Sequence, residues 1–460
     1  MSKHVATASP RGGPVWIVNA AVTTAPTFAG FALMAALVAC PLAVSAQSIA
    51  DAAPTPAASE NARDVLGRVR QSVIQIEGLV GSNTARSFHG TGFAVTGDGL
   101  FMTNYHVVSE QVQHPDKYRL RFRTPDGASG AVNVVKVDVE NDLAVVRTTA
   151  HMAPPLELVG QPPRKGQRAY SVGFPLDVGL TITEGISNGE VEGSFDARIH
   201  YSGAINGGMS GGPAFNANGQ VIGVNVSGYR FEQLVSFLVP AAHAVRLRDR
   251  AKAATADPAA LTAEIAAQLR AHSSKLLGAF IGPLVTQNSA GYELPAKIAS
   301  FVDCTAVGNP TVTQIAQTTR INCASKAGVY LKERQSTGDI RYTHTVVTSE
   351  KLGAWRFAAR LSNHAHVIST HGLRRDVGPF ACDGSVVALK GFAARISICT
   401  RSHRKNTGLY DTTVTVASLN GSRQGFTSDL TMIGLEYEPS MKFIQRYLEA
   451  MEWKPSLPKP

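Results

Sequence analysis

Cysteine is scarce: the 460-residue chain has five, and Cys40 is the only one before Cys304. No disulfide framework or thiolate metal centre can therefore organise the first two thirds. No CxxC pair occurs anywhere, which disfavours a structural zinc site. Acidic residues are also few, 34 against 44 Lys and Arg, and all charged residues together make 17% of the chain. The basic excess is scattered, with only short clusters at Arg374-Arg375 and from Arg401 to Lys405. That distribution describes a diffuse basic surface, and nucleic acid is not an expected partner. Long hydrophobic runs are missing too. The apolar stretch at 28–39 is too short for a permanent membrane helix.

What is present is apolar material (44%) with 42 Gly and 24 Pro, a composition suited to short strands and frequent turns. The length asks for two folded units plus tails. Residues 1–46 read as a signal peptide: Lys3 and Arg11, the apolar stretch, Pro41, then Val44-Ser45-Ala46 before a cut at Gln47. The competing reading is a lipobox at 37–40 with Cys40 as the lipid-bearing residue, which Pro41 disfavours. Either reading exports the protein to the periplasm or beyond. Four cysteines then remain, Cys304, Cys323, Cys382 and Cys399. An even set in an exported chain predicts two disulfides. Of the three connectivities, Cys304–Cys323 with Cys382–Cys399 is favoured because each closes a short, hairpin-sized loop.

Residues 47–60 form an Ala/Pro/Ser-rich tether, and 61–250 carry short apolar runs divided by Gly, Asn and Asp turns. Strands are expected at 72–79, 92–95, 100–104, 118–122, 132–137 and 143–147. After the Pro-rich connector at 152–166 they resume at 169–173, 181–186, 189–191, 198–201, 213–215, 221–226 and 234–239. Two sets of about six strands predict a mainly β fold with two antiparallel barrels. Residues 251–275 read as a helical linker, and 276–460 as a separate β-rich C-terminal domain of no assigned fold, ending in an amphipathic helix at 440–451.

The chemistry concentrates in three places. Gly207-Gly208-Met209-Ser210-Gly211-Gly212-Pro213 sets a serine in a tight glycine turn, where the N–H groups of Gly208 and Ser210 can serve as an oxyanion hole. A serine hydroxyl needs a base, and a base needs an orienting carboxylate. His106 follows an apolar strand in TNYHVV, and Asp142 heads another in NDLAVV. Alone, each is better read as an ordinary loop or turn residue. Their order, histidine then aspartate then serine, with these local sequences, is what points to a catalytic triad. Chemistry of this kind needs no metal and no organic cofactor. The H-x-H group at His364 and His366 with His371, and the basic run from Arg401, are better read as structural or solvated.

The segments GTGF (90–93), TNYHVV, NDLAVV, INGGMSGGP and VIGVNVSG resemble the trypsin/chymotrypsin superfamily, and most closely its bacterial HtrA-like branch, over roughly residues 62–246. The resemblance implies a cleft between the barrels, with His106 and Asp142 from the first and Ser210 from the second. The D-L-A-V match selects Asp142 over Asp138. It places Ala204 at the base of the primary substrate pocket and Val226-Ser227-Gly228 on the strand that pairs with substrate. With no acid at 204, cleavage after small or medium aliphatic residues is implied rather than after Lys or Arg.

Two departures stand out. Met209 occupies the position before the serine, where relatives carry Asp or Asn, so activation by pairing with a new N-terminus is not expected. No PDZ-type carboxylate-binding loop is visible in 276–460. The resulting expectation is an exported serine endopeptidase acting on polypeptides. The alternatives are a catalytically weak protease-like binding or chaperone module, and a C-terminal unit that itself binds glycan or nucleic acid.

Overall fold

In the computed structural model, residues 60–454 are described, apart from 149–150, 177, 229–233, 309–314, 364–371 and 420. The signal-peptide and Cys40 expectations, the tether up to residue 59, and His364, His366 and His371 lie outside the described residues, and Glu60, the last residue of the expected tether, is helical.

Six strands close the first barrel: β1 (Val73–Val80), β2 (Arg86–Ala94), β3 (Leu100–Thr103), β4 (Tyr118–Arg123), β5 (Ser129–Asp138) and β6 (Leu143–Arg147), in the order β1-β2-β3-β6-β5-β4. Six more close the second: β7 (Gln167–Gly173), β8 (Thr181–Glu190), β9 (Ile199–Tyr201), β10 (Pro213–Phe215), β11 (Val221–Gly228) and β12 (Ser236–Pro240). Closure leaves no sheet edge to protect. The expected separate strand at 189–191 is instead absorbed into β8, which bulges between Ser187 and Glu190 where it pairs with β9.

The Pro-rich connector is stitched to both barrels. Leu156 N–H donates to Ala94 of β2, and Val159 N–H to Val221 of β11. Two helices not expected from the sequence help to seal the pair, α1 (Glu60–Val69) and α3 (Ala241–Ala251). Their buried faces, Val65 and Val69, and Ala244, Leu247 and Ala251, join one apolar cluster with Phe93 and Leu100 of the first barrel and Tyr170 and Phe215 of the second. Helix α2 (Tyr105–Gln113) lies in the first barrel, between β3 and β4.

Helix α4 (Pro258–Gly278) is capped by Asp257, whose carboxylate accepts the N–H groups of Ala259 and Ala260, with Pro at the first position. At 21 residues it reaches about 30 Å. Leu261, Ile265 and Leu269 pack in the first barrel's cluster, while Leu276 and Leu277 pack in that of the C-terminal region. The described residues thus form one compact unit.

The C-terminal region begins with β13 (Thr286–Ser289) and β14 (Tyr292–Pro295). Its main sheet comprises β15 (Val302–Gly308), β16 (Gln317–Ser325), β19 (Asp339–Thr348), β20 (Ala381–Leu389), β21 (Phe392–Ser402), β22 (Leu409–Ser418) and β23 (Gln424–Glu436). Their order is β15-β16-β19-β23-β22-β21-β20, every pair antiparallel. Helix α6 (Tyr437–Glu449) buries Phe443, Ile444 and Tyr447 against Tyr342, Phe426 and Leu430 of that sheet. Helix α5 (Ala354–Ser362) buries Phe357 and Leu361 against Val347. A short hairpin, β17 (Val329–Lys332) and β18 (Gln335–Thr337), leaves the sheet towards the first barrel, and β24 (Glu452–Trp453) pairs with β14.

The disulfides are Cys304–Cys323 and Cys382–Cys399, as the short-loop pairing predicts. Each joins directly opposed residues and ties an edge strand, β15 or β20, to its neighbour. Closing loops of this length stabilises the fold by about 3 kcal/mol each in the chain-entropy account.

Candidate active site

The histidine and the aspartate meet at the start of α2. Helix N-termini leave N–H groups without partners, and here Asp142 supplies the acceptors. Its carbonyl takes the N–H of Tyr105 (3.1 Å) and the side-chain amide of Asn104 (2.8 Å), and its Oδ1 takes the N–H of His106 (2.9 Å). The second carboxylate oxygen, Oδ2, lies 2.6 Å from His106 Nδ1. Asp142 adopts φ +59°, a left-handed conformation that aspartate tolerates better than most residues. The two side chains are 28% and 14% exposed, so the pair is shielded from water but open on one side. Burial pushes the His106 imidazole down, while the charge and hydrogen bond of Asp142 push it up further, leaving it above the ordinary histidine value. Asp138 faces elsewhere, onto Asn141 and Arg250.

The serine turn is built from backbone and two buried polar side chains. Gly208 and Gly211 have φ +98° and +83°, which a side chain would resist. A Cβ on Gly211 would lie 2.3 Å from Thr103 Oγ1 and 2.8 Å from the Asn104 nitrogen, so the turn seats directly on the residues that lead into His106. Thr91 fixes one side: its N–H donates to the Ser210 carbonyl (2.8 Å) and its hydroxyl to the Gly208 carbonyl (2.7 Å). Asn225 fixes the other side. Its amide nitrogen donates to Val172 and Met209 carbonyls, its amide oxygen accepts from Ser171, and its backbone exchanges hydrogen bonds with Gly211 and Gly212. Met209 is fully buried. Its apolar side chain thus fills core space, and Thr91 with Asn225 holds the turn without a polar group at 209.

Among the described residues, no acceptor takes the N–H of Gly208 or of Ser210. The Ser210 hydroxyl donates to the Val226 carbonyl at 3.3 Å, and no hydrogen bond joins it to His106. Val226 is the bulged residue of β11, between the pairs Asn225–Leu238 and Ser227–Phe237. Pairing of β11 with β10 stops at Val224, leaving that edge of 226–228 beyond the reach of β10. The Ala204 carbonyl accepts from Thr183 Oγ1 (3.0 Å), and Thr183's own carbonyl accepts from the buried Tyr201 hydroxyl (3.0 Å). Burial pushes that hydroxyl up to about 12.

Thr91, Asn225 and Tyr201 were not singled out from sequence. The first two sit inside the GTGF and VIGVNVSG segments, which is the signal that could have found them. Glu140, Asp196 and His272 are the group among the described residues that could hold a metal, with ligand atoms within 4.8 Å of one another. The Lys275 ammonium already pairs with Glu140 and lies 3.5 Å from Asp196, so a cation is supplied by the chain itself.

The structure therefore has two antiparallel six-stranded barrels, with a His–Asp pair on one and a glycine-turn serine on the other. Consistent with that geometry, the family described as "Trypsin-like peptidase domain" matches residues 90–224. Through this part the chain is similar to HtrA-type serine proteases. It is 34% identical over 170 residues to a "Probable periplasmic serine endoprotease DegP-like" of Chlamydia trachomatis, covering 35% of this chain and 33% of that protein. It is 30% identical over 192 residues to human "Serine protease HTRA3", covering 38% and 42%. The chain thus spans about a third of the length of the first of these relatives. Among solved structures, "Crystal structure of Deg5" aligns at 27% identity with a TM-score of 0.35, over 41% of this chain and 91% of that one.

Proposed function

We propose that the protein is an exported serine endopeptidase. The observation that carries this reading is the seating of the Ser210 turn on Thr103 and Asn104, beside a His106 held by both oxygens of Asp142. In the proposed reaction, His106 Nε2 takes the Ser210 proton as Oγ attacks the scissile carbonyl. The N–H groups of Gly208 and Ser210 receive the oxyanion, Asp142 stabilises the imidazolium, and the proton passes to the leaving amine. Water activated by His106 then releases the acid.

Substrate would pair with the edge of Val226, Ser227 and Gly228. Ala204, tied through Thr183 to Tyr201, would floor a shallow pocket suited to small or medium aliphatic side chains. Export is supported by the signal-like N-terminus and by the relative named as periplasmic. No helix among the described residues is long and apolar enough to cross a membrane.

The test is a peptide library incubated with wild type and Ser210→Ala. Cleavage after Ala, Val or similar residues is expected in wild type and none in the folded variant. Wild-type rates in the variant, or a dominant Lys/Arg preference, would each contradict a part of this reading. A second reading, a protease-like module of weak catalysis, is favoured by one observation, the Ser210 hydroxyl turned to Val226 rather than His106. Fluorophosphonate reactivity separates the two, because only an assembled serine–histidine pair reacts rapidly.

A further inference from the structure

Asp142 lies in the short segment 139–142 that joins β5 to β6, and the His106 side chain it holds stays 28% exposed. The C-terminal region adds a contact to it. Hairpin β17–β18 alternates as a half-buried hairpin should: Val329 and Leu331 point down into the first barrel's cluster, among Tyr105, Val107, Val108 and Val112 of α2, and Tyr330 points the other way. The Tyr330 ring meets the His106 imidazole edge to face, centroids 6.1 Å apart at 82°. It is 39% exposed, so one side rests on the histidine and the other borders open solvent.

The same region grips the rest of α2. Glu333 N–H donates to Glu110 Oε1 (2.9 Å), and Lys405 Nζ donates to the Gln113 carbonyl (2.8 Å). Lys332, buried with Asp376 in a 2.8 Å pair, lies 3.3 Å from His114. On the same helix, the Ser109 hydroxyl donates to the His106 carbonyl (3.1 Å).

From this geometry we infer that Tyr330 is a positioning residue for His106, and that the active site is completed by the C-terminal region rather than by the two barrels alone. The inference rests on the triad reading above. The ring restricts imidazole rotation about the Asp142 hydrogen bond and keeps water from one of its faces. Asp142 sets the tautomer, and Tyr330 sets the tilt. The groups facing His106 are Asp142 from the β5–β6 link and Tyr330 from β17. Glu110 on α2 and Glu333 at the hairpin turn are the charges beside Tyr330.

The full-length protein is tested as wild type, Tyr330→Phe, Tyr330→Ala and Tyr330→Leu, by kcat, KM, the pH profile of kcat/KM and the rate of fluorophosphonate labelling. Y330A should lower kcat and the labelling rate about tenfold with little change in KM, a loss typical of a reacting group held slightly off line. Its acid limb should move to higher pH, because rehydrating the imidazole relieves the burial that holds His106 down. Y330F, which keeps the ring, should recover most of the rate. Should thermal melting show Y330A unfolded, Y330L is read instead and should lose severalfold in kcat with its fold intact. Wild-type kcat, labelling and acid limb in Y330A or Y330L overturn the inference, as does a Y330F as slow as Y330A. Absence of labelling in wild type itself would instead remove the triad reading on which the inference stands.

Discussion

The two barrels close with the same number of strands, yet the rest of the chain grips them unequally. The first shares its apolar cluster with Leu261, Ile265 and Leu269 of α4, with Val329 and Leu331 of the β17–β18 hairpin, and with Leu409 of β22. The second has a small cluster of its own, Ala169, Ile199, Tyr201, Ala214, Ile222 and Leu238. It meets the C-terminal region at the β8–β9 link, where Phe195 packs edge-on against Phe301 and His272. His106 and Asp142 are therefore held by packing that extends well beyond their barrel. The Ser210 turn is fixed within the two barrels, by glycine conformations, by Thr91 of β2 and by Asn225 of β11. A side chain that must keep one rotamer gains from a rigid surround, whereas a backbone turn can be determined by a few hydrogen bonds to its carbonyls.

Three substitutions separate these two kinds of support. The largest effect is expected for Asp142→Asn, which leaves the packing and the second barrel untouched but removes the carboxylate that selects the tautomer of His106. Peptide hydrolysis should fall on the order of 10⁴-fold, with the melting temperature nearly unchanged, as steady-state kinetics beside a thermal melt will show.

Next is Asp376→Ala, which leaves the Lys332 ammonium buried without its partner; both side chains of the pair are under 5% exposed. A loss of about 3–5 kcal/mol is expected, read by denaturant titration. Hydrogen exchange should quicken in α2 while β10 and β11 stay protected. Replacing Lys332 by Met in the same variant should restore most of the stability. Equal loosening of both barrels would contradict the unequal grip.

The smallest effect belongs to Glu140→Gln, at the junction of the first barrel's β5–β6 link, the β8–β9 link and α4. His272 first, and then Lys275, hold the Glu140 carboxyl down at about 2, against the opposing pull of burial. A depressed carboxylate contributes stability above its unfolded value that is lost as pH falls through its folded value. Wild type should therefore exceed the variant by roughly 1–3 kcal/mol at neutral pH. The difference should fade between about pH 4.5 and 2 in acid melts. A gap that is constant with pH would place the contribution elsewhere.

The same asymmetry governs what the sequence made legible. The barrel strands were readable because short apolar runs between Gly, Asn and Asp turns repeat through 72–239, and His106, Asp142 and Ser210 each sit in a distinctive local string. The disulfide pairing followed from loop length. Helices α1 and α3 were missed because their buried faces are small, Val65 with Val69 and Ala244 with Leu247, and apart from Leu66 and Val245 the rest of each is polar, glycine or alanine. Tyr330 could not have been found. It stands 224 residues from His106 in a short β-type run whose alternation gives its facing but not what it faces. Met209 was legible as a departure from the relatives' Asp or Asn, but not what holds the turn in its place, which is Asn225 and Thr91 donating to the Met209 and Gly208 carbonyls.

The central claim, a nucleophilic Ser210 assembled with His106 and Asp142, is tested most directly by fluorophosphonate labelling of the full-length protein with mass mapping of the adduct. The adduct should form rapidly, map to Ser210, disappear in Ser210→Ala and slow sharply in Asp142→Asn. A wild-type protein that stays unlabelled, or that carries the adduct on another residue, would contradict it.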